Sequence, residues 1–260
     1  MSLTDAQRER YARHLSLKEV GEAGQERLLS SRVLVVGAGG LGSAAIPYLA
    51  ASGVGYITVA DGDVVDITNL QRQVMHAGRV GMNKALSAAE FVGQLNPDVH
   101  IEPITHHLAP FEMDIVERFD AVLDCSDNFP TKFALNDACV LAGVPLFHAS
   151  VLRFEGLALT VLPDAPCYRC VFPNMPPEGT IPSSSEVGIM GVVPALLGVV
   201  QATECIKHLL GLGCSLRGVL MHYDALTMRC EYVEVEKSRE CPVCGEHPTI
   251  TRILPERYEQ

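Results

Sequence analysis

The sequence predicts an α/β protein of Rossmann-like type, with a doubly wound, mostly parallel sheet that antiparallel strands extend. Three observations predict it. Between residues 31 and 150, β-branched runs alternate with helix-like segments, the pattern of stacked βαβ units. A glycine turn, Gly37-Ala38-Gly39-Gly40-Leu41-Gly42, joins the first run to the first helix. Two C-x-x-C pairs, Cys167/Cys170 and Cys241/Cys244, lie in the second half. Their four thiolates match a closed tetrahedral zinc site, so the C-terminal part should be stapled by zinc.

Taken in order, Tyr11, Leu15, Leu17, Leu28 and Leu29 recur among charges at helical spacing, predicting two short helices in an N-terminal arm over 1–30. Arg32 to Val36 reads as a strand, Gly42 to Ser52 as a helix kinked at Pro47, and Tyr56 to Ala60 as a second strand closing on Asp61. A helix near Asn83 to Leu95 is stopped by Asn96-Pro97, and a strand follows at His100 to Ile104. A helix around Glu112 to Arg118, a strand at Ala121 to Asp124, a helix near Pro130 to Ala142 and a strand at Leu146 to Ala149 complete a nucleotide-binding half over 31–150.

Beyond it, Gly156 to Leu162, Val219 to Asp224 and Glu231 to Val235 read as antiparallel strands around a long helix near Val193 to Leu210. Pro173 to Ser185, rich in Pro, Gly and Ser, predicts an exposed, mobile loop. These make an extension over 151–245, and 246–260 is a charged tail, flexible or facing a partner.

Composition narrows the partners. A length of 260 residues suits one main domain with small appendages, and a hydrophobic share of 48% supplies its core. A net charge of -11 with no Lys/Arg cluster argues against nucleic acid. The most apolar stretch, Ile189 to Val200, falls short of the roughly 20 residues that cross a bilayer, so it reads as a buried helix. The polar N-terminus and an odd nine cysteines point to reduced thiols in a cytoplasmic protein. Outside the two pairs, Cys125, Cys139, Cys205, Cys214 and Cys230 read as buried, inert thiols.

Gly37, Gly39 and Gly42 follow a strand and open a helix, where backbone N–H groups approach phosphates. Asp61, 19 residues past Gly42, stands where a carboxylate accepts ribose hydroxyls. NAD and ATP both fit this pair, so an NAD-dependent dehydrogenase remains an alternative at this point. Arg72 and Lys84 tip the balance, because phosphoryl transfer spreads negative charge that cations stabilise and hydride transfer needs no such pair. Asp127, in Asp124-Cys125-Ser126-Asp127-Asn128 at a strand end, faces the same edge. A carboxylate beside polyphosphate implies an intervening Mg²⁺. Asp124 or Asp127 could alternatively cap the next helix.

The ordered set, Arg10-Tyr11-Ala12-Arg13-His14, the glycine turn, Asp61, Asn69-Leu70-Gln71-Arg72-Gln73, Lys84, Asp124 to Asn128 and both C-x-x-C pairs, resembles the HesA/MoeB/ThiF family. That family is related to the adenylation core of ubiquitin-activating enzymes. The resemblance implies a homodimeric adenylyltransferase in which Gly40 and its neighbours hold ATP and Asp61 binds ribose. It further implies that Asn69, Arg72 and Lys84 contact phosphates, with Gln71 and Asn128 in the nucleotide-binding set and Mg²⁺ on Asp127. Arg13 would reach an ATP phosphate across the dimer.

The implied substrate is the C-terminal Gly-Gly tail of a small β-grasp sulfur carrier serving molybdopterin, thiamin or tRNA thiolation chemistry, converted to an acyl-adenylate. Where related enzymes often carry a loop cysteine, this chain has Ser183-Ser184-Ser185, and it ends at Gln260 with no sulfurtransferase domain. Both features imply adenylation alone, with sulfur from a separate donor protein. A non-catalytic adaptor of the same fold is the other alternative.

Overall fold

The computed structural model describes residues 2–182, 184–213 and 216–259. Ser183 and Cys214, singled out above, lie outside the described residues. The chain builds one eight-stranded sheet in the order β3-β2-β1-β4-β5-β6-β7-β8. Its parallel part comprises β1 (Arg32–Val36), β2 (Tyr56–Ala60), β3 (His100–Ile104), β4 (Ala121–Asp124) and β5 (Leu146–Leu152). An antiparallel part, β6 (Glu155–Val161), β7 (Val219–Asp224) and β8 (Arg229–Glu234), continues it.

The central strands β1, β2 and β4 are mostly apolar because helices cover both faces. Side chains alternate across a strand, and in β1 Val33 and Val35 enter one core with Ile46, Leu49, Val92 and Leu197. Leu34 and Val36 enter the other, with Met113, Phe133 and Leu135. The first face is covered by α4 (Gly42–Ala51, with Pro47 inside it), α5 (Lys84–Leu95) and α9 (Val192–Leu210), which packs on α4, β5 and β6. The second is covered by α6 (Phe129–Ala142) and a 3-10 segment, Pro110–Arg118. Among the described residues only α9, at 19 residues, is long and apolar enough to cross a membrane by length and composition, and here it packs against the sheet.

Several expectations need correction. The N-terminal arm holds three helical segments, α1 (Asp5–Arg10), α2 (Ala12–Leu15) and α3 (Gly21–Ser30), where two were expected. The helix expected at Glu112 starts earlier, at Pro110, and is 3-10. Of the five thiols outside the pairs, Cys125, Cys139 and Cys205 are buried, whereas Cys230 lies exposed on β8. Among the described residues no strand pairs with the outer side of β8, and each residue of β8 is exposed.

The segment after residue 245 is docked and not free. Ile250 and Tyr258 are buried in the second core, and the Tyr258 hydroxyl donates to Asp137 Oδ2 at 2.8 Å. Asp137 also takes two-pronged bonds from Arg169, 2.7 Å from Nε to Oδ1 and 2.7 Å from Nη2 to Oδ2. The docking is not legible in the sequence because Ile250, Ile253, Leu254 and Tyr258 stand among charged and polar residues in a segment too short to sustain a period.

Candidate active site

Strand order reverses between β1 and β4, which opens the crevice where doubly wound sheets bind ligands. The ends of β1, β2 and β4 are level there, Val36 pairing with Ala60 on one side and Asp124 on the other. Gly37 has φ +98°, and a Cβ on it would lie 2.4 Å from the Cys125 carbonyl oxygen. A Cβ on Gly42 would lie 2.2 Å from the Gly37 carbonyl oxygen. Both positions therefore need glycine, and the turn closes tightly against the strand that leads to Asp127.

Ala38 is gripped from both sides. Its N–H donates to Asp61 Oδ2 at 2.7 Å, and its carbonyl lies 2.7 Å from His76 Nε2. A carbonyl only accepts, so Nε2 carries the proton and Nδ1 accepts from the Ser87 hydroxyl at 2.8 Å. Burial keeps this imidazole neutral by lowering its pKa. With Ala38 turned inward, the N–H groups of Gly39, Gly40, Leu41 and Gly42 donate to no acceptor among the described residues. They stand at the start of α4, where the helix dipole favours an anion.

Beside this turn, a 3-10 turn (Ile67–Asn69) is capped by Asp66, and Asn69 Oδ1 accepts the Asp66 N–H at 3.1 Å. The Asn69 carbonyl accepts from Arg72 and Gln73, so Asn69 shapes this segment from within. Arg72 is half-buried, and a Cβ on Gly40 would lie 3.7 Å from its Cδ, which places its side chain against the glycine turn. Gln71 is exposed. Lys84, the first residue of α5, is buried and pairs with Asp63 Oδ2 at 2.7 Å, while His107 holds the other Asp63 oxygen at 3.2 Å. Burial would raise the Asp63 pKa, but the bonds and charges of Lys84 and His107 outweigh it and hold the group below the usual carboxylate range.

At the end of β4 the two acids divide their work. Asp124 is fully buried and takes Lys132 Nζ at 3.3 Å, His148 Nδ1 at 2.7 Å and the Ser126 N–H at 3.0 Å. Lys132 also donates to the Ser126 carbonyl at 2.7 Å. The helix cap weighed as the alternative for Asp124 or Asp127 is instead made by Asn128, whose side chain accepts the Thr131 N–H at 2.9 Å. Asp127 is left exposed one residue past the clamped Ser126, on the same edge as the glycine turn.

Arg13 does not join this group within one chain. Its neighbours point to the opposite end of α4, where the Tyr11 hydroxyl meets Asn96 at 2.8 Å and His14 bonds Gln25, which in turn donates to the Ser52 carbonyl. The ten residues of α4 amount to about 15 Å of helix between that end and the turn.

The two C-x-x-C pairs do converge. Cys167 begins a short helix, α7 (Tyr168–Val171), and its sulfur lies 3.5 Å from Cys241 and 3.5 Å from Cys244, with Cys170 3.4 Å from Cys244. All four Sγ atoms lie within 4.8 Å of one another. Zn–S bonds of about 2.3 Å in a tetrahedron set sulfurs about 3.8 Å apart, so the cluster fits zinc. Arg169, inside the first pair, is anchored by Asp137 on α6 and stacks on Phe133 at 4.6 Å.

Sequence reasoning missed His76, Asp63, Lys132 and His148. His76, Asp63 and His148 act through partners distant in sequence, and Lys132 through the turn that joins β4 to α6, so no local spacing announces these pairs.

A ThiF family model matches residues 11–243. This chain belongs to the ThiF family. Within the family it is 52% identical over 248 residues to the SAMP-activating enzyme E1 of Haloferax volcanii, spanning 95% of this chain and 92% of that protein. It is 43% identical to the sulfur carrier protein adenylyltransferase of Thermus thermophilus, over 98% of this chain and 97% of the relative. It is 46% identical to the adenylyltransferase and sulfurtransferase MOCS3 of Sus scrofa, spanning 94% of this chain but 54% of MOCS3. The fold is shared with crystalline E. coli MccB in complex with MccA-N7isoASN, at TM-score 0.80 and 21% identity, over 93% of this chain and 76% of MccB.

Proposed function

We propose that this ThiF-family chain is an ATP-dependent adenylyltransferase acting on the C-terminal Gly-Gly carboxylate of a small β-grasp sulfur carrier. The observation that carries the reading is the run of undonated N–H groups from Gly39 to Gly42, flanked by Arg72 and facing the edge that bears Asp127. Such a site offers donors and a cation to a polyphosphate. The names of the Haloferax and Thermus relatives support the substrate class.

In this reading the Asp61 carboxylate, fixed by Ala38 and Asp63 N–H groups, keeps lone pairs for ribose hydroxyls. The carrier carboxylate forms a bond to the α-phosphorus as the bond to the bridging oxygen breaks, giving acyl-adenylate and pyrophosphate. Arg72, Lys84 and the turn N–H groups stabilise the charge that builds on the phosphates, while Asn69, Gln71 and Asn128 line the nucleotide. Asp127, an exposed hard-oxygen donor with no bond to the described chain, would hold Mg²⁺, which neutralises charge on the leaving group. The cysteine cluster would hold structural zinc. Sulfur would come from a separate donor protein, and the active form would be a homodimer.

ATP–pyrophosphate exchange with Gly-Gly-ended carriers tests this. Exchange should depend on the carrier and fall about a hundredfold or more in Asp127→Ala with the fold intact. No exchange with any such carrier would overturn the reading.

A further inference from the structure

We infer that the C-terminal segment is a strap across the cysteine cluster, with Tyr258, Asp137 and Arg169 as positioning residues that set how long the cluster retains a zinc ion. The inference rests on the reading of the cluster as a zinc site, and it assigns a task to a segment that the adenylation chemistry leaves unused.

The two halves of the cluster come from turns distant in sequence, and each needs an anchor of its own. The first is built on α7, a helix of four residues, too short to persist unaided. The anchor is α6. The Tyr168 N–H donates to Asn136 Oδ1 at 2.9 Å, and Asn136 Nδ2 donates to Asp137 Oδ1 at 2.9 Å. Arg169, which stands between Cys167 and Cys170, takes both oxygens of Asp137, and its Nη1 donates to the Pro173 carbonyl at 3.1 Å. Asn136 and Asp137 are fully buried and Arg169 nearly so, so these bonds are shielded from water and costly to break.

The second half is fastened to the C-terminal segment. Pro242 lies between Cys241 and Cys244, and its carbonyl accepts the N–H groups of Thr249 and Ile250 at 2.9 Å and 2.8 Å. Ile250 and Tyr258 then enter the second core, and the Tyr258 hydroxyl reaches Asp137. One stretch of chain thus runs from inside the second cysteine pair to the carboxylate that orients the first. The Ser238 N–H adds a direct tie, donating to Cys170 Sγ at 3.4 Å. Release of a metal from four sulfurs requires the two pairs to part, and parting them loads the strap. Groups behind metal ligands govern retention by fixing the donor atoms in this way. The coupling is reciprocal, so bound zinc should hold the segment down as the segment holds the zinc.

The test follows zinc transfer from the zinc-loaded full chain to an excess of a chromogenic chelator, in wild type, Tyr258→Phe and Val92→Ala. Tyr258→Phe removes one hydroxyl and keeps the ring in the core. Val92→Ala opens a cavity in the core on the opposite face of the sheet, lowering stability without touching the strap. Transfer should be about tenfold faster in Tyr258→Phe and unchanged in Val92→Ala. Hydrogen exchange on the wild type gives a second reading with no substitution. Stripping the zinc should speed exchange at Thr249 and Ile250 while the amides of β1 keep their rate. Equal transfer rates in Tyr258→Phe and wild type, or the same acceleration in Val92→Ala, would make Tyr258 an ordinary stabilising residue and overturn the inference. So would exchange at Thr249 and Ile250 that ignores the metal. A wild type that takes up no zinc would instead remove the zinc site, and the inference with it.

Discussion

Asp124 and His148 show how one buried residue fixes the state of another. Burial raises the Asp124 pKa, but the Lys132 charge and bonds from His148 and Ser126 outweigh it and hold the carboxyl well below its usual range. The ionised carboxylate accepts from His148 Nδ1, which leaves Nε2 buried without a partner beside Tyr168. Burial lowers the His148 pKa, so the folded protein holds it neutral. The unfolded chain takes up a proton below about pH 6.5 and the folded chain does not, so stability falls as pH drops through that value. Between pH 6.5 and 5.5, wild type should lose up to about 1 kcal/mol more than His148→Asn, which keeps a donor to Asp124 but cannot titrate. Denaturant titrations across that range give the answer, and parallel curves for the two proteins would remove His148 as the cause. Glycine spacing and acids at strand ends are local and could be read in the sequence. The pairing of Asp124 with His148 could not, because it depends on β4 lying beside β5.

Among the elements, strands buried on both faces were the most legible, since Arg32 to Val36 and Ala121 to Asp124 are nearly unbroken apolar runs. The docked C-terminal segment was the least, because Tyr258 is held by one hydroxyl bond and a shared core and by no repeat. The cysteine pairs lie between these extremes. Their spacing announced a metal site, and the fold brings the turn at α7 to the turn at Cys241. Metal binding at such a site contributes directly to folding. Cys244→Ser should therefore lose one equivalent of zinc per chain by elemental analysis and lower the unfolding midpoint by about 10 °C, at roughly 2–4 °C per kcal/mol for a chain of this size. An unchanged zinc content in the variant would remove Cys244 from the ligand set.

At the scale of the whole molecule, alternating elements predicted a parallel sheet, but only the strand order puts the Gly37 turn against Cys125 and so beside Asp127. The same topology sends Arg13 the other way. Tyr11 and His14 fasten the N-terminal helices to the far end of α4, so an Arg13 that serves the nucleotide must serve a second copy of the chain. In a symmetric dimer each site would then combine one subunit's Asp127 with the other's Arg13. Arg13→Ala and Asp127→Ala, each inactive alone, should recover activity when unfolded and refolded together. Random assembly makes half the dimers mixed, each with one intact site, so about a quarter of wild-type exchange should return. Recovery at that level requires a site shared between subunits. With both single variants inactive and a mixed dimer demonstrated by tagged copurification, the absence of recovery would place Arg13 and Asp127 in the same subunit's site, against the geometry of α4.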